Sequence, residues 1–267
     1  MARWVSEGEV TVGEVALYDD LSGDYDRFIN WSRRLARELP VLDDLLTRHG
    51  ARRVLDAACA TGRHVLALCE RGYQADGADL SAAMIAQARA RADAQGCDAS
   101  YWVAGFGELG RCGRGPYDAL LCLGNSLPHL LTAEQLGAAL RDMASVMRDG
   151  GLLIIQNRNY DRVWESRDRY MPLLQHREGD HEWLFFRFMD FHEASLTFHV
   201  VTMSRQGGDW SYRVGSTELR PILQDELARQ LAAAGFRQVD WWGGYDRSAF
   251  DPQKSGDLIA VAVKGGA

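Results

Sequence analysis

The sequence predicts an α/β fold in which a mostly parallel sheet carries helices on both faces. From residue 52 onward, short apolar runs alternate with segments of helical periodicity, a pattern typical of such sheets. The first apolar run ends in Asp56 and continues into a loop of small residues up to Gly62, which is the start of a nucleotide-binding βαβ unit. The next run leads to Asp79, and an acid about 20 residues beyond such a loop binds ribose hydroxyls in this kind of fold.

The composition is that of one elaborated globular domain. The chain has 267 residues, of which 46% are hydrophobic and 25% charged, enough to bury a sizeable core. Its net charge of −7 provides no attraction to nucleic acid or to an anionic membrane. No apolar run approaches the ~20 residues that span a bilayer, and residues 1–7 lack the apolar segment of a secretory signal. We therefore expect a cytoplasmic protein with a small-molecule substrate and with no nucleic-acid or membrane partner, in an oligomeric state that the sequence leaves open.

The cysteines are scattered and odd in number, and none belongs to a C-x-x-C pair. This usage favours free thiols in a reducing compartment. The five positions are Cys59, Cys69, Cys97, Cys112 and Cys122.

A helical cap is predicted over residues 1–50, ahead of the first core strand. Trp31 and Leu39 lie at helical spacing, and Pro40 is expected to end that helix. The apolar residues that follow have the spacing of a second amphipathic helix, closed by Gly50.

The cofactor-binding core is predicted over residues 51–164 and 220–267. Ser81 suits the N-cap of one helix, and Thr132 with Gln135 forms the capping-box pattern of another. The last two strands are expected to pair antiparallel at the sheet edge. The predicted strands are 52–56, 74–78, 99–103, 117–123, 152–156, 236–242 and 258–263, and the predicted helices are 63–71, 82–95, 133–147 and 224–234.

Residues 165–219 are predicted to form an antiparallel β insertion on the substrate side. Aromatic and β-branched residues are frequent in 183–191, 194–205 and 210–219, and the sequence at 207–209 is typical of a hairpin turn. Three histidines with acidic neighbours lie in this segment. Alternation along strands would send neighbouring side chains to opposite faces, so we predict no metal site.

Two further stretches carry a more specific pattern. Residues 121–130 read LCLGNSLPHL, and residues 150–161 read GGLLIIQNRNYD. Together with the order of the seven predicted strands, they resemble the class I S-adenosylmethionine-dependent methyltransferases, and more narrowly the glycine and glycine/sarcosine N-methyltransferase group. The resemblance implies a Rossmann-like seven-stranded sheet with an antiparallel C-terminal strand. It also implies S-adenosylmethionine as the cofactor and S-adenosylhomocysteine as its product.

The chain departs from the family pattern at two places. Ala58 and Ala60 stand where glycine is common in the first loop, and only Gly62 remains. Because alanine tolerates positive φ poorly, we expect a turn that accommodates a Cβ at both positions. Beyond the third strand, Gly105 replaces the acidic or amide residue that many relatives direct at the adenine amino group. We expect Phe106 to pack on the adenine ring.

The resemblance assigns most of the predicted cofactor contacts. Asp79 would accept both ribose hydroxyls, and Asp56 would lie near the methionine part. Arg34, preferred over Arg33, would bind the methionine carboxylate, although a solvated helix face is the alternative for this pair. The remaining predicted contacts are Tyr18, Trp31, Ala58, Gly62, Leu80, Met84, Gly105, Phe106, Leu123 and His129, the last of which could instead be a structural histidine.

The predicted catalytic residues are Asn125, Arg158 and Tyr25. Arg158 follows the carboxyl end of a central strand, where α/β folds bind ligands, and the matching arginine of glycine-type relatives binds the substrate carboxylate through two parallel hydrogen bonds. Asn125 would orient the amine, and Tyr25 would line the cap. The alternatives are that Arg158 pairs with Asp161 or another acid and that the tyrosine only packs.

The leading hypothesis is an N-methyltransferase acting on a small amino-acid-like substrate such as glycine or sarcosine. Direct in-line transfer requires alignment but neither a metal nor a covalent nucleophile. Two alternatives remain open at this point. The aromatic insertion could build a pocket for a larger small-molecule metabolite, or the chain could be a methyltransferase-like binding subunit without activity. The number of methyl groups transferred is also left open.

Overall fold

The computed structural model describes residues 10–12 and 14–266. Its larger sheet has seven strands, as predicted, and all but one run in the same direction. In spatial order these strands are β11 (Phe236–Trp242), β12 (Asp257–Lys264), β6 (Met147–Arg158), β5 (Tyr117–Cys122), β2 (Arg53–Asp56), β3 (Gln74–Asp79) and β4 (Tyr101–Val103).

The strand β12 is antiparallel to both of its neighbours, β6 and β11. The predicted antiparallel pair at the C-terminal end is therefore confirmed. The chain passes through β11 at the sheet edge first and then returns to fill the place beside β6, where Ile259 pairs with Gln156.

Helices cover both faces of this sheet. The helices of the described residues are α1 (Glu14–Leu21), α2 (Tyr25–Phe28), α3 (Trp31–Arg48), α4 (Arg63–Cys69), α5 (Ala82–Gln95), α6 (Ala133–Ser145), α7 (Tyr160–Ser166) and α8 (Gln224–Ala233). On one face, α6 and α8 contribute Leu140 and Leu231 to a buried core. On the other face, α3, α4 and α5 contribute Leu46, Val65 and Ile85. The prediction of a mostly parallel sheet between two helical layers is confirmed.

Local sequence signals place the helix ends correctly. The Ser81 hydroxyl accepts a hydrogen bond from the Met84 N–H at 3.1 Å, so it caps α5 as predicted. Thr132 and Gln135 form the reciprocal capping box of α6. Each of these contacts satisfies an N–H that the first turn of a helix leaves without a partner.

The prediction that Pro40 ends a helix is wrong, because α3 continues through it. Proline removes one backbone hydrogen bond and costs about 3 kcal/mol within a helix. The same side of α3 buries Leu39 before the proline, and Leu42 and Leu46 after it. Burial of each leucine contributes about 2 kcal/mol, so the continuous apolar face outweighs the local penalty.

The predicted insertion forms a second sheet. The strands β8 (His181–Phe191), β9 (Leu196–Gln206) and β10 (Asp209–Leu219) make an antiparallel meander with a two-residue turn at 207–208. Two strands that the sequence analysis did not predict extend it: β7 (Leu174–Glu178) pairs with β8, and β1 (Val10–Val12) pairs parallel with β10. The sheet therefore joins the N-terminal segment to residues 165–219.

The prediction of free thiols throughout is wrong for one pair. Cys69 and Cys97 form a disulfide, with Cα atoms 6.3 Å apart. The other three, Cys59, Cys112 and Cys122, are free and buried.

Within residues 10–12 and 14–266, no helix has both the length and the apolar character to cross a membrane. The same residues contain no group of three or more His, Cys, Asp or Glu side chains that could hold a metal ion.

Candidate cofactor and acceptor site

Two adjoining cavities open at the carboxyl ends of β2, β3, β5 and β6. The first has a volume of about 350 Å³ and lies against the loop after β2. The second has a volume of about 360 Å³ and lies between the two sheets. Both are lined by Tyr18, Tyr25, Arg34 and Gly124, so these four residues form the junction between the cavities.

The predicted site residues divide between the two cavities. Asn125 and Arg158 line the second cavity, and Tyr25 lines both. Asp56 and Gly62 line neither. The predicted cofactor contacts that line the first cavity are Tyr18, Trp31, Arg34, Ala58, Asp79, Leu80, Met84, Gly105, Phe106, Leu123 and His129.

The Asp79 carboxylate is anchored at the end of β3. One oxygen accepts the Ala60 N–H at 2.8 Å, and the other accepts the Ser81 N–H at 2.9 Å. Burial raises the pKa of Asp79 to about 6, against the effect of these two hydrogen bonds. Each carboxylate oxygen has more than one lone pair, so the anchored group can still accept two hydroxyls from the cavity.

The loop after β2 uses its two alanines differently. Ala60 has a φ of +46°, whereas Ala58 is not among the described non-glycine residues with positive φ. The expectation that the turn accommodates a Cβ at both positions therefore holds at Ala58 only. At Ala60 the alanine is strained, because the left-handed region costs an L-residue roughly 1–2 kcal/mol.

We expect Ala60→Gly to raise the free energy of unfolding by about 1 kcal/mol, because glycine removes the strain and loses part of that gain to chain entropy. Ala58→Gly, the matched control in the same loop, should lower it by about 0.5–1 kcal/mol, since only the entropy changes. Urea unfolding of the three proteins measures both effects. Equal destabilisation by the two substitutions would contradict strain at Ala60.

Asp56 and Gly62 lie behind the loop. The Asp56 side chain is 2% exposed, and it accepts a weak hydrogen bond from the Ala58 N–H at 3.4 Å. Gly62 precedes α4 with a φ of +75°, and a Cβ built on it would lie 2.9 Å from the Cβ of Ala88. Both residues support the loop without lining the cavity.

Arg34 is held at the junction by a buried carboxylate. Its Nε lies 3.1 Å from both oxygens of Glu38, one helical turn later, and Glu38 accepts a further bond from the His64 ring at 2.8 Å. Burial opposes ionisation of Glu38, but the bond from His64 and the charge of Arg34 lower its pKa to about 2. The guanidinium lies beside Gly124, where a Cβ would come within 3.3 Å of Nη2.

Sequence reasoning missed Glu38 and His64. The spacing of Arg34 and Glu38 is that of an ion pair on one helix face, which is a signal in the sequence. Nothing local connects them to His64, which comes from α4 and is 3% exposed.

The N-terminal cap is fastened over the loop by Asp26. Its carboxylate accepts hydrogen bonds from the indole of Trp31 at 2.9 Å, the hydroxyl of Thr61 at 2.8 Å and the guanidinium of Arg63 at 2.6 Å. These bonds connect α2 to the loop and to α4. They place Tyr25, one residue earlier, at the junction of the two cavities.

The junction is walled by uncharged aromatic side chains. The Tyr18 hydroxyl lies 3.0 Å from Nε2 of His129, and its ring meets that of Tyr25 edge-on at 6.4 Å. Burial lowers the pKa of His129 to about 4 and raises the pKa of Tyr25 to about 12. At neutral pH both side chains are uncharged, so neither adds a positive charge to that of Arg34, which Glu38 pairs.

The far end of the first cavity offers a flat apolar wall and one carboxylate. Leu80, Met84 and Phe106 line it together with Gly105. Glu108 also lines this end and accepts the Gly105 N–H at 3.3 Å. Glu108 was not predicted here, because the family pattern directs attention to position 105 and not to the turn that follows.

Arg158 enters the second cavity from the end of β6. Its Nη1 contacts the sulfur of Met171 at 3.4 Å and that of Met189 at 4.0 Å. No Asp or Glu of residues 10–12 and 14–266 forms an ion pair with it, and Asp161 instead accepts the Gln224 N–H at 3.1 Å. Burial lowers the pKa of Arg158, as expected for a cation with no counter-ion.

The neighbouring polar residues position Arg158. Asn125 has a φ of +69°, which asparagine tolerates better than most residues. Its Oδ1 accepts the Arg158 N–H at 3.0 Å, and its Nδ2 donates to the Tyr160 hydroxyl at 3.0 Å. Asn159 caps α7 and donates to carbonyls of the 251–255 loop. The amide of Asn125 thus holds Arg158 and Tyr160 in place, and one lone pair of its Oδ1 is left for a ligand.

Comparison with known proteins identifies the same family that the sequence motifs resemble. A family described as "Methyltransferase domain" matches residues 54–151. The glycine/sarcosine N-methyltransferase of Parasynechococcus marenigrum (strain WH8102) is 37% identical over 88% of this chain and 80% of the relative. The enzyme of the same name from Aphanothece halophytica is 28% identical over 84% of this chain and 81% of the relative.

Solved structures agree on the fold. An S-adenosylmethionine-dependent methyltransferase from Clostridium acetobutylicum ATCC 824 superposes with a TM-score of 0.77, covering 93% of this chain and 99% of that one at 14% identity. At this identity the match supports the fold alone, whereas the sequence relatives cover most of both chains. The chain therefore belongs to the S-adenosylmethionine-dependent methyltransferases, in the group of the glycine/sarcosine N-methyltransferases.

Proposed function

We propose that this enzyme transfers a methyl group from S-adenosylmethionine to the amine of a small amino acid such as glycine or sarcosine. The observation that carries the proposal is the Arg158 guanidinium, which faces the second cavity without an acidic partner among the described residues. The core over 51–164 and 220–267 would bind the cofactor. The segments 1–50 and 165–219 would enclose the acceptor.

The residues of the first cavity fit the three parts of the cofactor. The anchored carboxylate of Asp79 would accept the ribose hydroxyls, and Arg34 would bind the methionine carboxylate. The apolar end at Leu80 and Phe106 would hold the adenine ring, with the Glu108 carboxylate within reach of its amino group. When bound, the cofactor would supply an activated methyl group on a positively charged sulfur, which would take the bonding electrons as the amine lone pair attacks the methyl carbon.

The chain's contribution to the acceptor is alignment. Arg158 would hold the carboxylate by two parallel hydrogen bonds, and Asn125 keeps that arginine in place through the backbone. Holding the amine on a line with the methyl group and excluding water can contribute on the order of 7–11 kcal/mol to the rate. Tyr25 at the junction and His129 in the first cavity both stay uncharged near neutral pH, so neither takes up a proton from the amine. The amine therefore gives its extra proton to solvent.

We expect the affinity for S-adenosylmethionine to fall about tenfold between pH 7 and pH 5. The hydroxyls need the carboxylate form of Asp79, so a pKa of about 6 makes binding weaker as the group is protonated. Calorimetric titration across this range measures the effect. The slope should disappear in Asp79→Asn, and an unchanged slope in that variant would assign the pH dependence to another group.

The relatives favour methylation of a glycine-like substrate over the two alternatives, a methyltransferase for a larger metabolite and a binding subunit without activity. The test is a methyl-transfer assay with glycine, sarcosine and matched amines that lack a carboxylate, followed through S-adenosylhomocysteine formation. Turnover of the amino acids only is the expected result. Turnover of neither glycine nor sarcosine would overturn the proposal. A cytoplasmic location and the absence of a nucleic-acid or membrane partner remain part of the proposal, supported by the net charge of −7.

A further inference from the structure

A second arginine faces the acceptor cavity. Arg187 lies in β8 on the same side as Met189, and both line the second cavity. Its Nη2 donates to the Pro172 carbonyl at 3.1 Å, and its guanidinium lies 5.5 Å from the centre of the Phe28 ring. Its Nε is buried and has no hydrogen-bond partner among the residues that the structure describes. Nothing in the proposed reaction of glycine uses this side chain.

The described lining of the cavity contains no acidic side chain to balance these arginines. Among the described residues, no Asp or Glu lines the second cavity, and neither Arg158 nor Arg187 forms an ion pair. Arg34, by contrast, has its counter-ion in Glu38 at 3.1 Å. Burial lowers the pKa of Arg187, and the charge of Arg158 lowers it further, so the two guanidinium groups repel each other. An unpaired cation in such an environment is costly, which favours an anionic ligand.

The two guanidinium groups contact neighbouring residues of one segment. The Met171 sulfur contacts Arg158 Nη1 at 3.4 Å, and the carbonyl of the next residue, Pro172, accepts the hydrogen bond from Arg187 Nη2. Met171, Pro172 and Met189 all line the cavity, so the lining beside the two guanidinium groups is largely apolar. A ligand that spans from one arginine to the other needs an anionic group at each end and methylene groups between them.

Glycine would use only one of the two arginines. Its single carboxylate balances one of the two unpaired charges. The cavity has a volume of about 360 Å³, and one water molecule occupies about 30 Å³. The five non-hydrogen atoms of glycine therefore fill only a small part of it.

We propose that the preferred acceptor is an amino acid with a second carboxylate, in which Arg158 binds one carboxylate and Arg187 binds the other. This inference rests on the proposed function, because it names the substrate class of the same site. The methyl transfer itself is unchanged: the acceptor amine still meets the cofactor at the junction of the two cavities.

The test compares acceptors of equal shape that differ only in charge. For the wild-type enzyme we expect kcat/KM for aspartate or glutamate to exceed that for asparagine or glutamine, respectively, by at least about tenfold, or about 1.4 kcal/mol. In Arg187→Gln the preference should disappear, and Arg187→Lys should keep part of it. The matched control is Arg205→Gln on the same sheet, because Arg205 pairs with Glu182 and lines neither cavity; its preference should equal that of the wild type.

A binding measurement separates this inference from the proposed function. Calorimetry with glutarate and with its monoamide, on enzyme loaded with S-adenosylhomocysteine, needs no turnover. Tighter binding of glutarate to the wild type than to Arg187→Gln supports the second carboxylate site even if no amino acid is methylated, an outcome that would overturn the proposed function alone. Methylation of glycine without any preference for the acidic members of the pairs would overturn the inference alone. An undiminished preference in Arg187→Gln would also overturn it.

Discussion

Arg158→Leu is expected to raise the KM for an amino-acid acceptor by at least about thirtyfold. The arginine would form charge-assisted hydrogen bonds to the carboxylate within an apolar cavity, and removing one partner of such a pair costs about 2–5 kcal/mol. Because Arg158 lines the second cavity and not the first, the dissociation constant of S-adenosylmethionine should change little. Steady-state kinetics and calorimetric titration measure the two quantities separately.

Arg162→Leu is the matched control for this substitution. Arg162 lies four residues further on, in the short helix α7 that follows β6, but it donates to the exposed Lys254 carbonyl at 3.4 Å and lines neither cavity. We expect wild-type kinetics from it. A KM that rises equally in both variants would indicate that α7 had shifted, and an unchanged KM in Arg158→Leu would rule out the proposed carboxylate site.

Asp79→Asn is expected to weaken S-adenosylmethionine binding by about a hundredfold or more. Each hydrogen bond from a hydroxyl to an ionised carboxylate contributes about 1.5–3 kcal/mol, and the neutral amide offers one acceptor oxygen where the carboxylate offers two. Asp98→Asn serves as a control, since the Asp98 side chain is 98% exposed and lies outside both cavities.

The stability of Asp79→Asn without ligand distinguishes lost binding from misfolding. Burial raises the pKa of Asp79 to about 6, so the folded protein without ligand holds the ionised form at a cost at neutral pH. The amide carries no charge, and it can still accept one of the two loop N–H groups. We therefore expect a free energy of unfolding close to that of the wild type. A large loss of stability would mean that the carboxylate mainly holds the loop together.

Features that depend on a few neighbouring residues were predictable. The caps at Ser81 and Thr132, the helix stop at Gly96 and the two-residue hairpin turn involve contacts within about four positions in the chain. Contacts between distant segments decided the features that were missed. At three residues, β1 has too little pattern to identify it, and it exists because Val10 pairs with Val214. Similarly, α3 passes through Pro40 because its apolar face packs on the sheet.

The candidate site likewise has one part that was predictable from the sequence and one part that only the structure shows. The two diagnostic stretches identified Asn125 and Arg158, because strand ends bring such residues to one edge of a parallel sheet. They did not identify Arg187, which comes from the second sheet. Alternation along β8 indicates that Arg187 and Met189 share a face, but it does not say which face meets the acceptor cavity. Only the packing of the second sheet against α1, α2 and β6 determines which face of β8 lines the acceptor cavity.

By itself, the sequence determined the α/β fold, the family, and the backbone frame of the cofactor site, since all of these follow from local periodicity and short motifs. The tertiary structure decided which groups share an environment. Asp56 lies outside the lining of the cofactor cavity, and the strain falls on Ala60. Arg34 is paired with Glu38. Arg158 and Arg187 face one cavity without an acidic partner among the described residues. The physical reason is that burial and charge balance depend on which atoms surround a side chain, and those atoms come from segments far apart in the chain.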